Sequence, residues 1–358
     1  MTGRPIIDVN LFVHNGAATI AEVLASVLAQ TWPDLGITVI DNASTDDTAT
    51  IVAAIAARDR RVHLRRNHAN IGPVLNCQRA FWHGDADFVM PKTADDLLAP
   101  DFVASIMAVL QNNPEVAMCH AAGLVFGDDR AVSLVYPPEH RLAAIGADPI
   151  ARARHVMARY TSAPAFWGIY RRAATDLLAP IQYRPGWDHA MLAELALHGE
   201  IRCTDTLSFW RRHGGKDVNL LAPGCSQFTQ RNLPLDDGLA DLHWRLPLVS
   251  TAYAHIERFA IARLDAPTRR ALMDSVAPIF RQRWLPMMRR EAAGFRHDLP
   301  ALVDLVAQQQ GAALPWAANQ LAAPLAALRT LLPEEDFADD LLTIQAISEM
   351  EQESASFF

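Results

Sequence analysis

No apolar run in this chain approaches the ~18 residues a membrane-spanning helix needs. The opening Met1-Thr2-Gly3-Arg4-Pro5 leads straight into a strand-like segment without the apolar core of a secretion signal, so a soluble, cytoplasmic chain is expected. Cysteine is scarce. Cys77, Cys119, Cys203 and Cys225 form neither a metal-binding spacing nor a paired framework, which fits reduced thiols. Positive charge is short as well: 32 Lys and Arg against 40 Asp and Glu leave a net charge of −8, which argues against a general nucleic-acid binder. Internal repeats and low-complexity tracts are absent, and with 51% hydrophobic residues nothing points to disorder.

What is present is a regular alternation. Residues 6–13 are β-prone and mostly apolar, as in a strand buried on both faces. Ile20, Val23, Leu24, Val27 and Leu28 then recur at helical spacing and predict a helix from about Ala17 to Gln30. Further strands are expected at 37–40, 62–64, 87–90 and 116–126. Between them lie a helix capped by Ser44 or Thr45 with Asp46 and Asp47 in its first turn, a helix from Gly72 to His83, and one opened by Pro100. Strands alternating with helices at this spacing imply right-handed crossovers, hence an α/β fold with a mostly parallel, Rossmann-like sheet. After about residue 127 the pattern loosens: a loop-like stretch over 128–150, a strand from Phe166 to Tyr170, a helix from Asp188 to His198 and a strand from Glu200 to Phe209. From about residue 235 the chain reads as helical, and Leu221-Ala222-Pro223-Gly224 marks a boundary, which gives expected domains at 1–220 and 221–358.

Two of the strands end in acid. Ile37-Thr38-Val39-Ile40 runs into Asp41-Asn42-Ala43-Ser44-Thr45-Asp46-Asp47-Thr48, and a later strand runs into Thr93-Ala94-Asp95-Asp96. The carboxyl edge of an open α/β sheet is where ligands sit, and acidic residues there suit a divalent cation that would in turn hold a diphosphate.

The order and spacing of these segments resemble the inverting glycosyltransferases of family 2, with the nucleotide-diphospho-sugar transferase (GT-A) fold. The likeness covers about residues 6–215. Val13-His14-Asn15-Gly16 stands where the family has a Thr-Tyr-Asn-like turn, Ser26-Val27-Leu28-Ala29-Gln30-Thr31 matches its Ser-x-x-x-Gln-Thr, and Ile40 to Thr48 carries its Asp-Asn-x-Ser-Thr-Asp-x-Thr block almost whole. The resemblance implies that Asp41 contacts the nucleotide base, the plainer alternative being support of the helix that follows. Val13, His14 and Asn15 would line the same pocket, together with Asn70, Gly72 and Asn76 from an Asn-x-Gly segment. The family's Arg-Asn pair is missing near Cys77-Gln78. Thr93 replaces the first acid of the Asp-x-Asp motif and offers a hydroxyl to the ribose, Ala94 lies between, and Asp95 takes the metal-ligand position for Mn2+ or Mg2+. Asp96 reads as a cap or support, and Lys92 as either a phosphate contact or a solvated lysine.

An inverting transfer needs a base for the acceptor hydroxyl. The family places it at the start of a later helix, here Gly186-Trp187-Asp188-His189, so Asp188 is the expected base and also a natural N-cap. Trp187 is then a sugar-stacking candidate or a core residue. Phe209-Trp210-Arg211-Arg212-His213 resembles the segment that closes over the donor, with His213 at the metal or diphosphate and Arg212 or Arg211 at the phosphates. Asp95 and Asp188 are accordingly expected to flank one cleft. Partners implied are a nucleotide-sugar donor, UDP-linked by preference, and a glycan, lipid-linked or protein acceptor. The stretch from Arg258 to Arg290, rich in Arg with Trp284, Leu285, Met287 and Met288, is open to three uses: an ordinary helical bundle, a homo-oligomer contact, or peripheral attachment to an anionic bilayer. Two rival classes remain. A sugar nucleotidyltransferase would want a Gly-rich, Arg-containing phosphate loop, which Val13 to Ala17 does not supply; a member that binds nucleotide or glycan without turnover is kept open by Thr93 and Cys77.

Overall fold

The computed structural model describes residues 7–159, 165–181, 185–212, 242, 246–309, 313–337, 340, 342 and 344. The chain divides into two compact units: Met1–Ile181 with Met191–Asp217, and Gln182–Ala190 with Val218–Phe358.

In the first unit the elements run β1 (Ile7–Val13), α1 (Ile20–Leu28), β2 (Leu35–Asp41), α2 (Thr48–Ala56), β3 (Val62–Arg66), α3 (Pro73–Trp82), β4 (Phe88–Thr93), β5 (Leu97–Leu98), α4 (Phe102–Asn112) and β6 (Val116–Phe126). Next come β7 (Val132–Val135), α5 (Pro149–Ala158), β8 (Gly168–Arg171), α6 (Arg172–Thr175), α7 (Trp187–His198) and β9 (Glu200–Arg212). The described strands form one sheet ordered β3-β2-β1-β4-β8-β6-β9-β5, with β7 paired to β6. The β3-β2-β1-β4 half is parallel, as the alternation predicts. β8 then enters antiparallel between β4 and β6, while β9 returns parallel to β6. Chain order reverses at β1, which has β2 on one side and β4 on the other, so the crevice for a ligand falls at their carboxyl ends.

The apolar pattern builds this frame. Ile7, Val9 and Leu11 of β1 are wholly enclosed, as are Ile20, Val23, Leu24 and Val27 along one face of α1. Each such side chain contributes about 1.5–3 kcal/mol relative to exposure. Asn10 lies within β1, where its amide nitrogen donates to the carbonyls of Ala80 and His83, while its buried side-chain oxygen has no hydrogen-bond partner among the described residues.

Two expected helix starts are corrected. α2 is capped by neither Ser44 nor Thr45. Asp46 accepts from the Thr48 N–H at 3.1 Å, because Ser44 is turned to Asp41 and Thr45 to Asn15. α4 starts at Phe102 after Asp101, not at Pro100: the Pro100 carbonyl accepts from the Thr31 N–H, and Ala99 donates to Ser208.

In the second unit the helices are α8 (Pro247–Ile261), α9 (Ala266–Ala307) and α10 (Ala313–Leu331). α9 continues through Pro278, Pro286 and Pro300, each of which removes an internal hydrogen bond and bends the rod. Glu291 caps the start of α8 by accepting from the N–H groups of Leu248 and Val249. Gly186 has φ +73°, and a Cβ there would lie 2.4 Å from Thr251 Cγ2, so only glycine fits the turn before α7. The arginine-rich stretch packs in part against the acidic segment that follows it. Arg281 and Arg289 pair with Glu334 at 3.0 Å, and Arg296 approaches Glu335 at 3.4 Å. No helix among the described residues is long and apolar enough to cross a membrane.

Candidate functional site

The carboxyl ends of β1 and β2 are joined by a hydrogen-bonded cradle. The Asn15 side-chain oxygen accepts from the Thr45 N–H at 2.8 Å, and the Asn15 N–H donates to Ser44 Oγ at 2.9 Å. Asn15 has φ +51°, a left-handed turn that asparagine tolerates. Gly16 follows, where a Cβ would meet Val13 Cγ2 at 2.5 Å. His14 shares hydrogen bonds with the Asn42 carbonyl through Nδ1 (3.1 Å) and with Asn70 Nδ2 through Nε2 (3.2 Å), which holds the ring in place.

Asn42 is the hub of this region. Its amide nitrogen donates to Asn70 Oδ1 at 2.7 Å, and its oxygen accepts from Asn67 Nδ2 and the Ile71 N–H. Asn70 in turn accepts from the Gly72 N–H at 2.9 Å, and Gly72, with φ +83°, turns the chain into α3. Sequence reasoning missed Asn42, although it directly follows Asp41. Asn76, expected to line the nucleotide pocket, is instead buried and donates to the Ile40 carbonyl while accepting from Asn67. It positions the cradle from below.

Asp41 is fully enclosed. Its Oδ1 accepts from the Ser44 N–H and hydroxyl. Arg66 Nε lies 3.1 Å from Oδ2 as an ion pair, yet that oxygen receives no hydrogen bond from any described residue.

β4 delivers the acidic motif. Asp95 Oδ1 is a buried oxygen without a hydrogen-bond partner among the described residues. Asp96 does not cap a helix: it accepts from the Thr93 hydroxyl at 3.1 Å and from the Arg212 N–H at 3.1 Å. Because Thr93 donates to Asp96, its oxygen is left to accept from a ligand rather than donate. Ala94 supplies its carbonyl to Thr19 Oγ1 at 2.6 Å. Lys92, expected at a phosphate or in solvent, is 2% exposed and its Nζ donates to the carbonyls of Asp96 (2.6 Å) and Thr93 (3.1 Å). Burial pushes its pKa down against the pull of Asp96 and Asp95. It braces the motif from inside.

Arg212, at the end of β9, is brought to the same place. Its Nε donates to the Asp95 carbonyl at 3.2 Å, its guanidinium pairs with Glu22 of α1 at 2.6 Å, and it lies 4.9 Å from the Phe126 ring centroid. Burial would raise the pKa of Glu22, but Arg130 and Arg212 outweigh it and hold the carboxyl low. Nothing in the sequence pattern singles out Glu22.

Among the described residues no three His, Cys, Asp or Glu side chains are grouped as a metal cage. Asp95 alone fits a cation, through its bare Oδ1, with a diphosphate left to supply further oxygens. His213 lies outside the described residues.

Asp188 and Trp187 open α7 and belong to the second unit, whereas Met191 onward belongs to the first. Burial raises the Asp188 pKa, opposed by the His189 N–H donating to Oδ1 at 2.9 Å. Trp187 is partly buried.

A parallel half-sheet with acid at its carboxyl edge, entered by an antiparallel strand, is the nucleotide-diphospho-sugar transferase (GT-A) fold. S. aureus TarS 1–349 superposes with a TM-score of 0.57 at 15% identity, over 97% of this chain and 91% of that one. The mannosyltransferase PcManGT of Pyrobaculum calidifontis, solved with GDP-Man and Mn2+, gives 0.51 at 16% identity, over 97% and 87%. The glycosyl transferase family 2 model matches residues 9–167 of this chain. Curated relatives include an uncharacterised glycosyltransferase of Nostoc sp., 24% identical over 227 residues, covering 62% of this chain and 69% of the relative. One of Haemophilus influenzae is 26% identical over 116 residues, covering 32% and 36%. The match thus spans about a third of one relative and about two thirds of the other.

Proposed function

We propose that this chain is a metal-dependent inverting glycosyltransferase that moves a sugar from a nucleoside-diphospho-sugar, UDP-linked by preference, to an acceptor hydroxyl. Asp95 carries the proposal: a buried carboxylate oxygen with no partner among the described residues, at the switch point of the sheet, is costly unless a ligand completes it. The fold neighbours support it, since TarS was solved with UDP-GlcNAc and PcManGT with GDP-Man and Mn2+.

In this mechanism Val13, His14, Asn15, Asn70 and Gly72 shape the nucleotide pocket. Asp41 accepts from the base once the half-exposed Arg66 swings aside, and Thr93 and Ala94 meet the ribose. Asp95 would hold Mn2+ or Mg2+, which would neutralise charge on the departing diphosphate. Arg212 exchanges Glu22 for phosphate oxygens, and His213 is assigned to the same diphosphate or cation. Asp188 takes the proton of the acceptor hydroxyl as that oxygen bonds to the anomeric carbon and the bond to the diphosphate breaks, which inverts the configuration. A carboxyl biased upward by burial is suited to that task. Trp187 stacks on a sugar face. We assign the second unit to the acceptor, whether glycan, lipid-linked or protein, and to homo-oligomer or peripheral membrane contact, in a cytoplasmic setting.

A panel of nucleotide sugars with Mn2+ tests this by donor hydrolysis and transfer; turnover of none of them would overturn it. Thr93 in place of an acid favours a second reading, binding without turnover, which tight Mn2+-dependent UDP binding with no transfer or hydrolysis would select.

A further inference from the structure

The first unit carries a second polar feature whose lining includes none of the acidic motif. α3 packs over β1, β2 and β4, and a cleft of about 600 Å3 opens between it and the edge strand β3. Arg65, Arg66 and Arg79 line it with Asn67, Trp82 and His83, and no carboxylate does. Neither Asp95 nor Asp41 is among its walls.

The register explains how the charges gather. Arg65 pairs with Ile40 across the parallel β2–β3 ladder, so both side chains leave the sheet on one face, and Ile40 floors the cleft. Arg66 follows at the strand end, where it reaches Asp41, and Arg79 projects from α3 and donates to Asn67 Oδ1. The Arg65 side chain makes no hydrogen bond or ion pair with any described residue. Mutual repulsion of three guanidinium groups is relieved by an anion, and their planar forks match phosphate oxygens. His83 adds an imidazole whose pKa is lowered by burial and by Arg65, and so offers a neutral polar contact. The half-buried Trp82 provides an indole face against which a sugar ring can stack. The volume suits a small ligand.

We propose that this cleft binds a phosphorylated sugar, with the phosphate on Arg65 and Arg79 and the ring on Trp82, without a metal and apart from the donor site. Glucose 1-phosphate, inorganic phosphate and glucose, each titrated calorimetrically into the metal-free chain, test it. Glucose 1-phosphate should bind at millimolar concentration or below, phosphate more weakly, and glucose not at all. Arg65→Glu should weaken the sugar phosphate on the order of tenfold or more, while Mn2+-dependent UDP binding stays intact and reports that the variant is folded. Trp82→Ala should erase the advantage of the sugar phosphate over phosphate. No binding, equal affinity in Arg65→Glu, equal affinity for phosphate and sugar phosphate, or loss in Asp95→Asn would each overturn it. Failure of the donor proposal would show instead in Mn2+–UDP binding that ignores Asp95→Asn, so the two outcomes are separable.

Discussion

The Arg212 guanidinium donates to the main-chain oxygen of Asp95 at 3.2 Å across a sequence separation of 117 residues. The same side chain is gripped by Glu22 of α1, and the Arg212 main chain donates to Asp96. Three elements, α1, β4 and β9, therefore fix one short loop. With Asp96 bonded to Thr93 and Arg212, Asp95 is the one of these two acids that presents an oxygen without a hydrogen-bond partner among the described residues. A division of labour follows: one acid of the pair holds the loop, and the other is left for a ligand.

Asp95→Asn should weaken Mn2+-dependent UDP binding by more than about 100-fold, since even outer partners of metal ligands cost roughly 10- to 100-fold. Thermal stability should hardly fall, because Oδ1 has no partner to lose among the described residues. Calorimetric titration of UDP with and without Mn2+ checks the first point and a melting curve the second. Binding that keeps its metal dependence would remove Asp95 from the role.

Asn42→Ala removes the amide that ties Asn70 and Asn67 together and accepts from the Ile71 N–H. Asn42 is 2% exposed, so its partners are left without water to replace it. At about 1–3 kcal/mol for a buried group left unpaired, the loss should be about 2–4 kcal/mol. Chemical unfolding reads the stability, and UDP affinity should fall alongside it because Asn70, which holds His14 Nε2, loses its anchor. A change below about 0.5 kcal/mol, the ordinary surface range, would show that the network re-forms without its hub.

The parallel half of the sheet was legible because burial on both faces leaves mostly apolar runs such as Ile7 to Val13, and helix periodicity such as Ile20, Val23, Leu24 and Val27 is equally direct. The strand expected from Phe166 to Tyr170 is β8 at Gly168–Arg171, but its antiparallel place between β4 and β6 was not legible. Four residues carry no orientation signal, and tertiary packing decides it. Side-chain use was least legible. Ser44 and Asp96 have the chemistry of helix caps, yet Asp41 and Arg212 claim them from elsewhere in the fold. Lys92 sits beside acids in sequence, and only the fold shows it facing inward. The arginines of α9 met Glu334 and Glu335 about fifty residues on, beyond any local pattern.

Two buried groups in the second unit give opposed pH dependences. His255 is wholly buried, with Nδ1 sharing a hydrogen bond with the Thr251 carbonyl, and burial drives its pKa from 6.5 to about 4. The folded state thus binds fewer protons than the unfolded one, and stability present above about 6.5 is lost as pH falls through 4. Glu291 runs the other way: burial lifts it from 4.5 to about 7 against its bonds to Leu248 and Val249. Its contribution is complete below about 4.5 and lost as pH rises through 7. Each is of order 3 kcal/mol and they partly cancel. Melting curves between about pH 4 and 8 should therefore rise with pH in Glu291→Gln and fall with pH in His255→Phe. Parallel slopes in the two variants would contradict the assignment.

Asp188 is the proposed base, and its environment makes a kinetic demand. Burial raises its pKa above 3.8, against the pull of the His189 and Asp188 N–H groups toward the charged form. A base must be ionised to accept a proton, so kcat/KM should climb as pH rises through that elevated value and level off above it. Asp188→Asn keeps the shape and the acceptor oxygen but cannot take the proton. Transfer should fall by about 10²- to 10⁴-fold, the usual contribution of general-base catalysis, while the Kd for UDP with Mn2+ holds. Asp188→Glu should restore part of the rate and displace the acid limb, a change that a merely capping carboxylate would not produce. An unshifted pH profile in Asp188→Glu, or full turnover in Asp188→Asn, would assign the helix start to Asp188 and the proton to another group.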